Sequence, residues 1–287
     1  MKLIKNSLTI FLLIIGALTT GTVQSQRLNL PAKSPKSSIT QDFALSEVSV
    51  DYSRPSKRDR KVIGGKVVPF GKLWRTGANA STKVTFGDDV TIDGKELKAG
   101  TYSLYTIPEQ NQWTVIFNKN LDLWGKNGYK QEEDALRVVA KSEKLSNVVE
   151  TFTIQFSSTE SNSMNMDLMW ENTKVSVRIV TEIESKIMKN IESTMSKDKR
   201  PYYQAASYYY ENKKDLKLAL TWANKALEIN PKAYWTALLK AKIQKEMGDN
   251  TGAAKTAEMA VKLAKEGENE GYAKRAQDVL MKLQNKK

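Results

Sequence analysis

Apolar and polar residues alternate along the first half of the chain. Val48, Val50 and Tyr52 fall on one face of an extended segment. Trp113, Val115 and Phe117 repeat the pattern, as do Phe152, Ile154 and Phe156. Met164, Met166, Leu168 and Trp170 form a longer row, and Val175, Val177 and Ile179 the last one. Asp93-Gly94 sits between Val90-Thr91-Ile92 and Lys95-Glu96-Leu97 and predicts a two-residue hairpin, because both turn positions need positive φ. Gly64-Gly65 is a second turn candidate, and the polar stretch 125–134 predicts a loop or one helical turn. Many short strands of period two predict an antiparallel β-sandwich or barrel-like domain over residues 38–184.

Beyond Glu184 the texture changes. Glycine becomes scarce and Ala, Lys, Leu and Glu dominate, as helices prefer. Two helices are expected over 200–230, broken near 212–215 and stopped by Pro231. Ala219, Ala223 and Ala226 recur, 34 residues on, as Ala253, Ala257 and Ala260, and Lys214-Asp215 recurs as Gly248-Asp249. Small side chains at that spacing let paired helices approach closely. With Tyr203, Tyr210 and Pro231, the pattern resembles a tetratricopeptide repeat, with Ser207 in place of the usual small glycine and Gln244 where Tyr210 stands one repeat earlier. A capping helix is expected over 270–283. The fold class expected is therefore α+β, multidomain: a β-rich domain at 38–184, a linker or helix at 185–199, and tetratricopeptide-like helical hairpins at 200–287.

The start of the chain adds an address. Lys2 and Lys5 precede a mostly apolar stretch at 8–18, and Val23-Gln24-Ser25 fits a signal-peptidase site before Gln26. Residues 1–25 are expected to be a signal peptide and 26–37 a leader without a core of its own. The mature chain is expected outside the cytoplasm, periplasmic or extracellular, with no transmembrane span.

Composition narrows the chemistry. An apolar fraction of 40% supports a packed core. The absence of Cys excludes disulfides and thiol catalysis, and the absence of His excludes a Ser-His-Asp triad. Any catalysis would use carboxylates, Lys, Tyr, Ser or an oxygen-ligated metal. The net charge of +13 is uneven. Residues 27–184 carry 22 basic and 20 acidic side chains, against 21 and 12 over 185–287, so the excess is +2 and then +9. The basic helical part should attract anionic partners or simply confer solubility. Nucleic acid is not expected for an exported chain.

The most distinctive segment is Pro69-Phe70-Gly71-Lys72-Leu73-Trp74-Arg75-Thr76-Gly77-Ala78-Asn79. With Tyr52-Ser53-Arg54-Pro55, Ala99-Gly100-Thr101-Tyr102-Ser103-Leu104, Trp113-Thr114-Val115-Ile116-Phe117-Asn118-Lys119, Trp124-Gly125, Tyr129, Arg137-Val138 and Trp170-Glu171 it resembles the bacterial domain-of-unknown-function family numbered 2911, over about residues 34–182. That resemblance implies a secreted β-rich domain, sometimes followed by helical repeats. It brings no activity, substrate or catalytic residue.

Read for chemistry, Arg75 offers a planar fork for carboxylate, phosphate or sulfate. Trp74 offers a face for a sugar ring, Asn79 both a donor and an acceptor, and Gly77 close backbone approach. The competing reading puts Trp74 in the core and has Arg75 capping carbonyls or pairing with Asp51. Arg54, Lys57, Arg58, Arg60 and Lys61 form a basic run that would line an anion site beside Arg75, or else a solvated loop. Trp124 and Tyr129 suit carbohydrate stacking on a loop, or a lid over the sandwich. Glu132-Glu133-Asp134 could supply paired carboxylates for glycoside hydrolysis, but adjacent acids in a polar stretch fit a solvated turn or helix start better. Asp88-Asp89 lacks calcium-ligand spacing. No phosphate loop, cofactor motif or metal constellation is present. Candidate ligand-binding residues are Arg54, Trp74, Arg75, Asn79, Trp124 and Tyr129, with no catalytic residue named.

Three functions follow. The first is a binding or scaffolding protein of the envelope, its β domain holding a glycan, peptide or anionic ligand and its helical repeat docking a protein. The second is an enzyme on envelope glycans or anionic metabolites that works through carboxylates and Arg75. The third is a periplasmic chaperone or assembly factor.

Overall fold

A computed structural model describes residues 30–196 and 200–284. Residues 1–25, expected to be a signal peptide, lie outside the described residues. The β part holds β1 (Lys36–Phe43), β2 (Ser46–Ser53), β3 (Thr82–Phe86), β4 (Val90–Ile92), β5 (Lys95–Leu97), β6 (Gly100–Pro108), β7 (Gln112–Asn118), β8 (Asp134–Ser157) and β9 (Ser163–Val180). These strands form one nine-stranded sheet in the order β1-β2-β3-β6-β7-β8-β9-β4-β5. Every pairing between them is antiparallel.

The sheet folds over on itself because β8 and β9 are long and bulged. Their register shifts between Lys144 and Val149 and again between Val149 and Thr153, and bulges bend and twist a strand pair. The first part of β8 pairs with β7. Its second part returns to the end of β2, where Phe152 donates to Pro55 O at 2.9 Å and Lys57 to Glu150 O at 2.7 Å. Tyr52 fastens this closure: its hydroxyl accepts from Ile154 N at 3.0 Å and donates to Ile154 O at 3.3 Å. One aromatic-rich core lies between the two halves. The predicted rows Val48/Val50/Tyr52 and Trp113/Val115/Phe117 all face it, as do Phe152 and Ile154, while Phe156 is only partly buried. In β9 the inward positions switch from even (Met164 to Trp170) to odd (Val175 to Ile179). Glu171, at φ 51°, sits at the switch. One irregular residue moves the rest of the strand to the opposite phase, since side chains alternate with period two.

The helical part runs α1 (Glu184–Met195), α2 (Tyr202–Glu211), α3 (Leu216–Ile229), α4 (Tyr234–Glu246), α5 (Asn250–Glu266) and α6 (Glu270–Gln284). α1 occupies the stretch expected as linker or helix. Asp215 caps α3 through Lys217 N and Leu218 N, and Asp249 caps α5 through Gly252 N at 2.8 Å. Ala219, Ala223, Ala253, Ala257 and Ala260 are all buried, whereas Ala226 is half-buried. The recurring alanines thus mark where helices touch. Lys186 on α1 reaches Asp88 of the β part at 2.5 Å, and Glu184 pairs with Lys214 ahead of α3.

Candidate functional site

The loop between β2 and β3 carries the site. It is pinned to the sheet edge at Trp74, whose N–H and C=O pair with Thr106 at 2.7 and 2.9 Å. Beyond that bridge the backbone turns sharply. Thr76, Gly77 and Asn79 have φ of 52°, 147° and 62°. A β-branched residue such as Thr76 rarely accepts this region, and its surroundings must impose it. Thr76 is fully buried, its hydroxyl donates to Thr106 Oγ1 at 3.1 Å, and its carbonyl accepts from Thr82 Oγ1 at 2.6 Å. Gly77 is required for space as well as conformation. A Cβ there would meet Thr82 Oγ1 at 3.0 Å and Ser53 O at 3.1 Å.

This geometry sorts the predicted residues. Trp74 is 6% exposed and packs on Trp113, Phe152 and Trp170. A sugar would find no free face on it, so the stacking expectation is corrected in favour of the core role. Arg75 donates from Nη1 to Asn79 O at 3.0 Å. Asp51 is instead bonded by Ser38, and Arg75 belongs to none of the ion pairs among the described residues. Asn79 is the keystone. Its carbonyl also receives Gly125 N at 3.1 Å, and its amide reaches Ser53 Oγ at 3.2 Å and Ser34 O at 3.4 Å.

Arg54 points elsewhere. It donates to Phe152 O at 3.1 Å and Thr153 Oγ1 at 2.8 Å, clamping the returning half of β8. The expectation that Arg54 meets a ligand is corrected to this structural use. Trp124 is 66% exposed on a loop that runs against the Arg75 segment through its bridge to Ala80. Gly125 packs so closely on Arg75 that a Cβ would lie 3.0 Å from Nη1. Tyr129 is half-buried and committed to other groups. Its hydroxyl donates to Asp134 at 2.8 Å and accepts from Arg137 Nη2 at 2.6 Å. Burial, then the Asp134 bond, push its phenol up to about 12, with Arg137 opposing. The Tyr129 ring leans on Tyr105, whose hydroxyl holds Gly125 O at 3.0 Å. Tyr129 therefore supports the loop from below instead of stacking on a ligand.

Asp134 is used up in that knot, with Arg137 Nε at 2.5 Å and Asn118 Nδ2 at 2.8 Å, and Glu133 accepts from Asn120. The three acids do not form a facing pair. Among the described residues no group of three or more acidic side chains is arranged to hold a metal ion.

What the fold does assemble is a basic cavity of about 290 Å³. Arg75 shares its wall with Arg58 and Arg60 from the basic run, with Trp74 and Val67 as apolar floor. The fourth cation, Lys33, comes from the segment ahead of β1 and was not singled out in the sequence. Among the described residues no carboxylate lines the cavity. Glu150, which is not part of that lining, accepts from Arg58 N at 2.6 Å. Lys33 carried no sequence signal, since a lysine in a proline-flanked segment looks like any solvated residue.

A second polar cluster also escaped the sequence reading. Lys83 donates to Ser81 Oγ at 2.6 Å and Ser103 Oγ at 2.9 Å, and Ser103 donates to Asn120 O at 2.6 Å. Burial lowers the Lys83 ammonium below its ordinary value, opposed by Asp122. Every hydroxyl is satisfied, and the cluster fastens the 119–125 loop to β3 and β6. Polar residues on the outward positions of both strands were the available signal.

The fold and cavity define a class: a folded-over antiparallel β domain with a basic pocket at its edge, joined to a run of helices. The family described as "Protein of unknown function (DUF2911)" matches residues 34–179, a little over half of the chain, and the chain belongs to it. No curated protein and no solved structure gives a significant match.

Proposed function

We propose that the chain is a binding module of the cell envelope whose β domain holds an anionic ligand at Arg75. The observation that carries this is the convergence of Lys33, Arg58, Arg60 and Arg75 on one cavity without a carboxylate in its wall. Four such cations, in no ion pair among the described residues, repel one another, and an anion relieves that repulsion. The lack of paired carboxylates there favours binding over glycoside hydrolysis.

The test is thermal unfolding of the full chain with sulfate, phosphate, citrate and acidic glycans, with Arg75→Ala in parallel. A ligand at a hundred times its dissociation constant adds about 2.7 kcal/mol and raises the melting point visibly. Arg75→Ala should keep the fold and lose most of that shift. An equal shift in the variant would move the site elsewhere.

The helices support a second role. Buried alanines at a 34-residue offset fit a tetratricopeptide-like array, and its basic surface suits an acidic protein partner. Deleting 185–287 should abolish partner binding and spare anion binding; partner binding that survives the deletion would refute this role. Export rests on the charged and apolar pattern of residues 1–25. An extracytoplasmic chain beginning at Gln26 would support it, and a cytoplasmic full-length chain would not. Among the described residues no helix is long and apolar enough to cross a membrane.

A further inference from the structure

The pocket's construction says more about its occupant than that it is negative. The cations come from three separate stretches of chain: Lys33 ahead of β1, Arg58 and Arg60 after β2, and Arg75 in the strained loop before β3. Each stretch is fixed in place by contacts of its own. The Lys33 stretch is strapped down by Asn79 Nδ2 to Ser34 O at 3.4 Å and by Arg54 N to Pro35 O at 2.9 Å. Arg58 has φ 54°, and its N–H is held by Glu150. Arg60 spends Nε on Lys57 O at 3.0 Å and Nη2 on Ser56 O at 2.7 Å, which aims the rest of its fork. Arg75 spends one bond on Asn79 O.

Charge and size then bound the ligand. Four positive charges meet at the cavity, and a single monoanion would leave most of them uncompensated. At about 30 Å³ per water, a cavity of about 290 Å³ has room for roughly ten waters, enough for two or three linked tetrahedral oxyanions. Guanidinium forks match such oxygens with paired, charge-assisted hydrogen bonds. Trp74, Val67, Pro55 and Ala78 form the apolar part of the wall and leave the charged contacts to the four basic residues. Resting on the reading that this pocket binds anions, we propose that its ligand is a compact polyanion carrying at least two phosphate or sulfate groups, with Lys33 as the strap-borne fourth contact.

Isothermal titration of the full chain at constant ionic strength tests this. The probes are inorganic phosphate, sulfate, pyrophosphate, tripolyphosphate and citrate. Pyrophosphate or tripolyphosphate should bind at least about tenfold tighter than phosphate or sulfate, and tighter than the tricarboxylate citrate. Lys33→Ala and Arg58→Ala, both exposed positions that should leave the melting point unchanged, should each weaken the polyphosphate by about tenfold. The same substitutions should change phosphate binding far less. Equal affinities for phosphate and pyrophosphate would overturn the polyanion and leave the anion site standing. Binding of no anion at all would overturn both. Tight pyrophosphate binding indifferent to Lys33→Ala and Arg58→Ala would place the polyanion elsewhere, on the basic helices, and overturn the assignment to this pocket.

Discussion

Trp74→Ala should destabilise the β domain by about 3–5 kcal/mol, the range for removing a large enclosed aromatic side chain. The indole is the meeting point of both halves of the folded sheet. It stacks on Trp170 of β9 at 5.7 Å between ring centroids, and meets Phe152 of β8 at 5.0 Å and Trp113 of β7 at 6.1 Å edge-on. Alanine would leave a cavity among side chains that are themselves almost wholly buried, and a rigid aromatic cluster closes such a hole poorly. Trp74→Phe keeps part of the contact and should cost clearly less. Urea unfolding followed by circular dichroism gives both values. A loss below about 1 kcal/mol for Trp74→Ala would contradict the packing described, since surface aromatics are lost that cheaply. Because Arg75 follows directly, Trp74→Ala should also weaken anion binding under conditions where the domain is still folded.

Glu171→Ala should cost about 2–5 kcal/mol by a different route. The Glu171 carboxylate accepts from Val62 N at 2.9 Å and from Ile63 N at 2.8 Å. Both donors belong to buried residues, Val62 fully so. Removing the acceptor leaves two backbone N–H groups without partners, at about 1–3 kcal/mol each. The φ of 51° is borne by glutamate and alanine alike, so the lost carboxylate bonds set the cost. Glu171→Gln presents one carbonyl oxygen to two donors and should recover part of the loss. Denaturant unfolding of the three proteins checks this order. If Glu171→Ala unfolds like wild type, the carboxylate is not holding the 62–63 turn. The same loop supplies Val67 to the cavity wall, so the Glu171 variants should also loosen the pocket.

Legibility varied with how local the signal was. The strand rows were visible because a half-buried sheet imposes period two on its own sequence. Asp93-Gly94 was visible as a turn because few residues tolerate its φ, and it does join β4 to β5. The break at 212–215 and the stop before Pro231 matched the ends of α2 and α3 for the same reason: caps and breakers act within one turn. The irregularity at Glu171, opposite the bulges of β8, was hidden. It appears only as a change of parity between two apolar rows, and such a change looks like an ordinary loop until β8 is seen paired alongside.

The site was half legible. Arg58, Arg60 and Arg75 could be suspected of sharing an anion site from their density and from the unusual loop. Lys33 could not, since nothing near it in sequence announces that Asn79 and Arg54 hold its segment in place. Trp74, Arg54 and Tyr129 were misplaced for one common reason. Their chemistry suits a ligand or a core equally well, and the choice depends on whether a neighbouring element covers them. Trp74 is covered by β8 and β9, Arg54 is spent on Phe152 O and Thr153, and Tyr129 is bound by Asp134 and Arg137.

By itself the sequence determined the order and type of the elements, the division into a β part and a basic helical part, and the exclusion of thiol and histidine chemistry. Those follow from periodicity, turn residues and composition, which are properties of neighbouring residues. Only the tertiary structure decided that one sheet folds over itself, which aromatic side chains close its core, and which cations from three distant stretches share a cavity. Long-range pairing sets those outcomes: the returning half of β8 brings residues about a hundred positions apart into hydrogen-bond contact, as at Tyr52 and Ile154, and no local pattern encodes such a meeting.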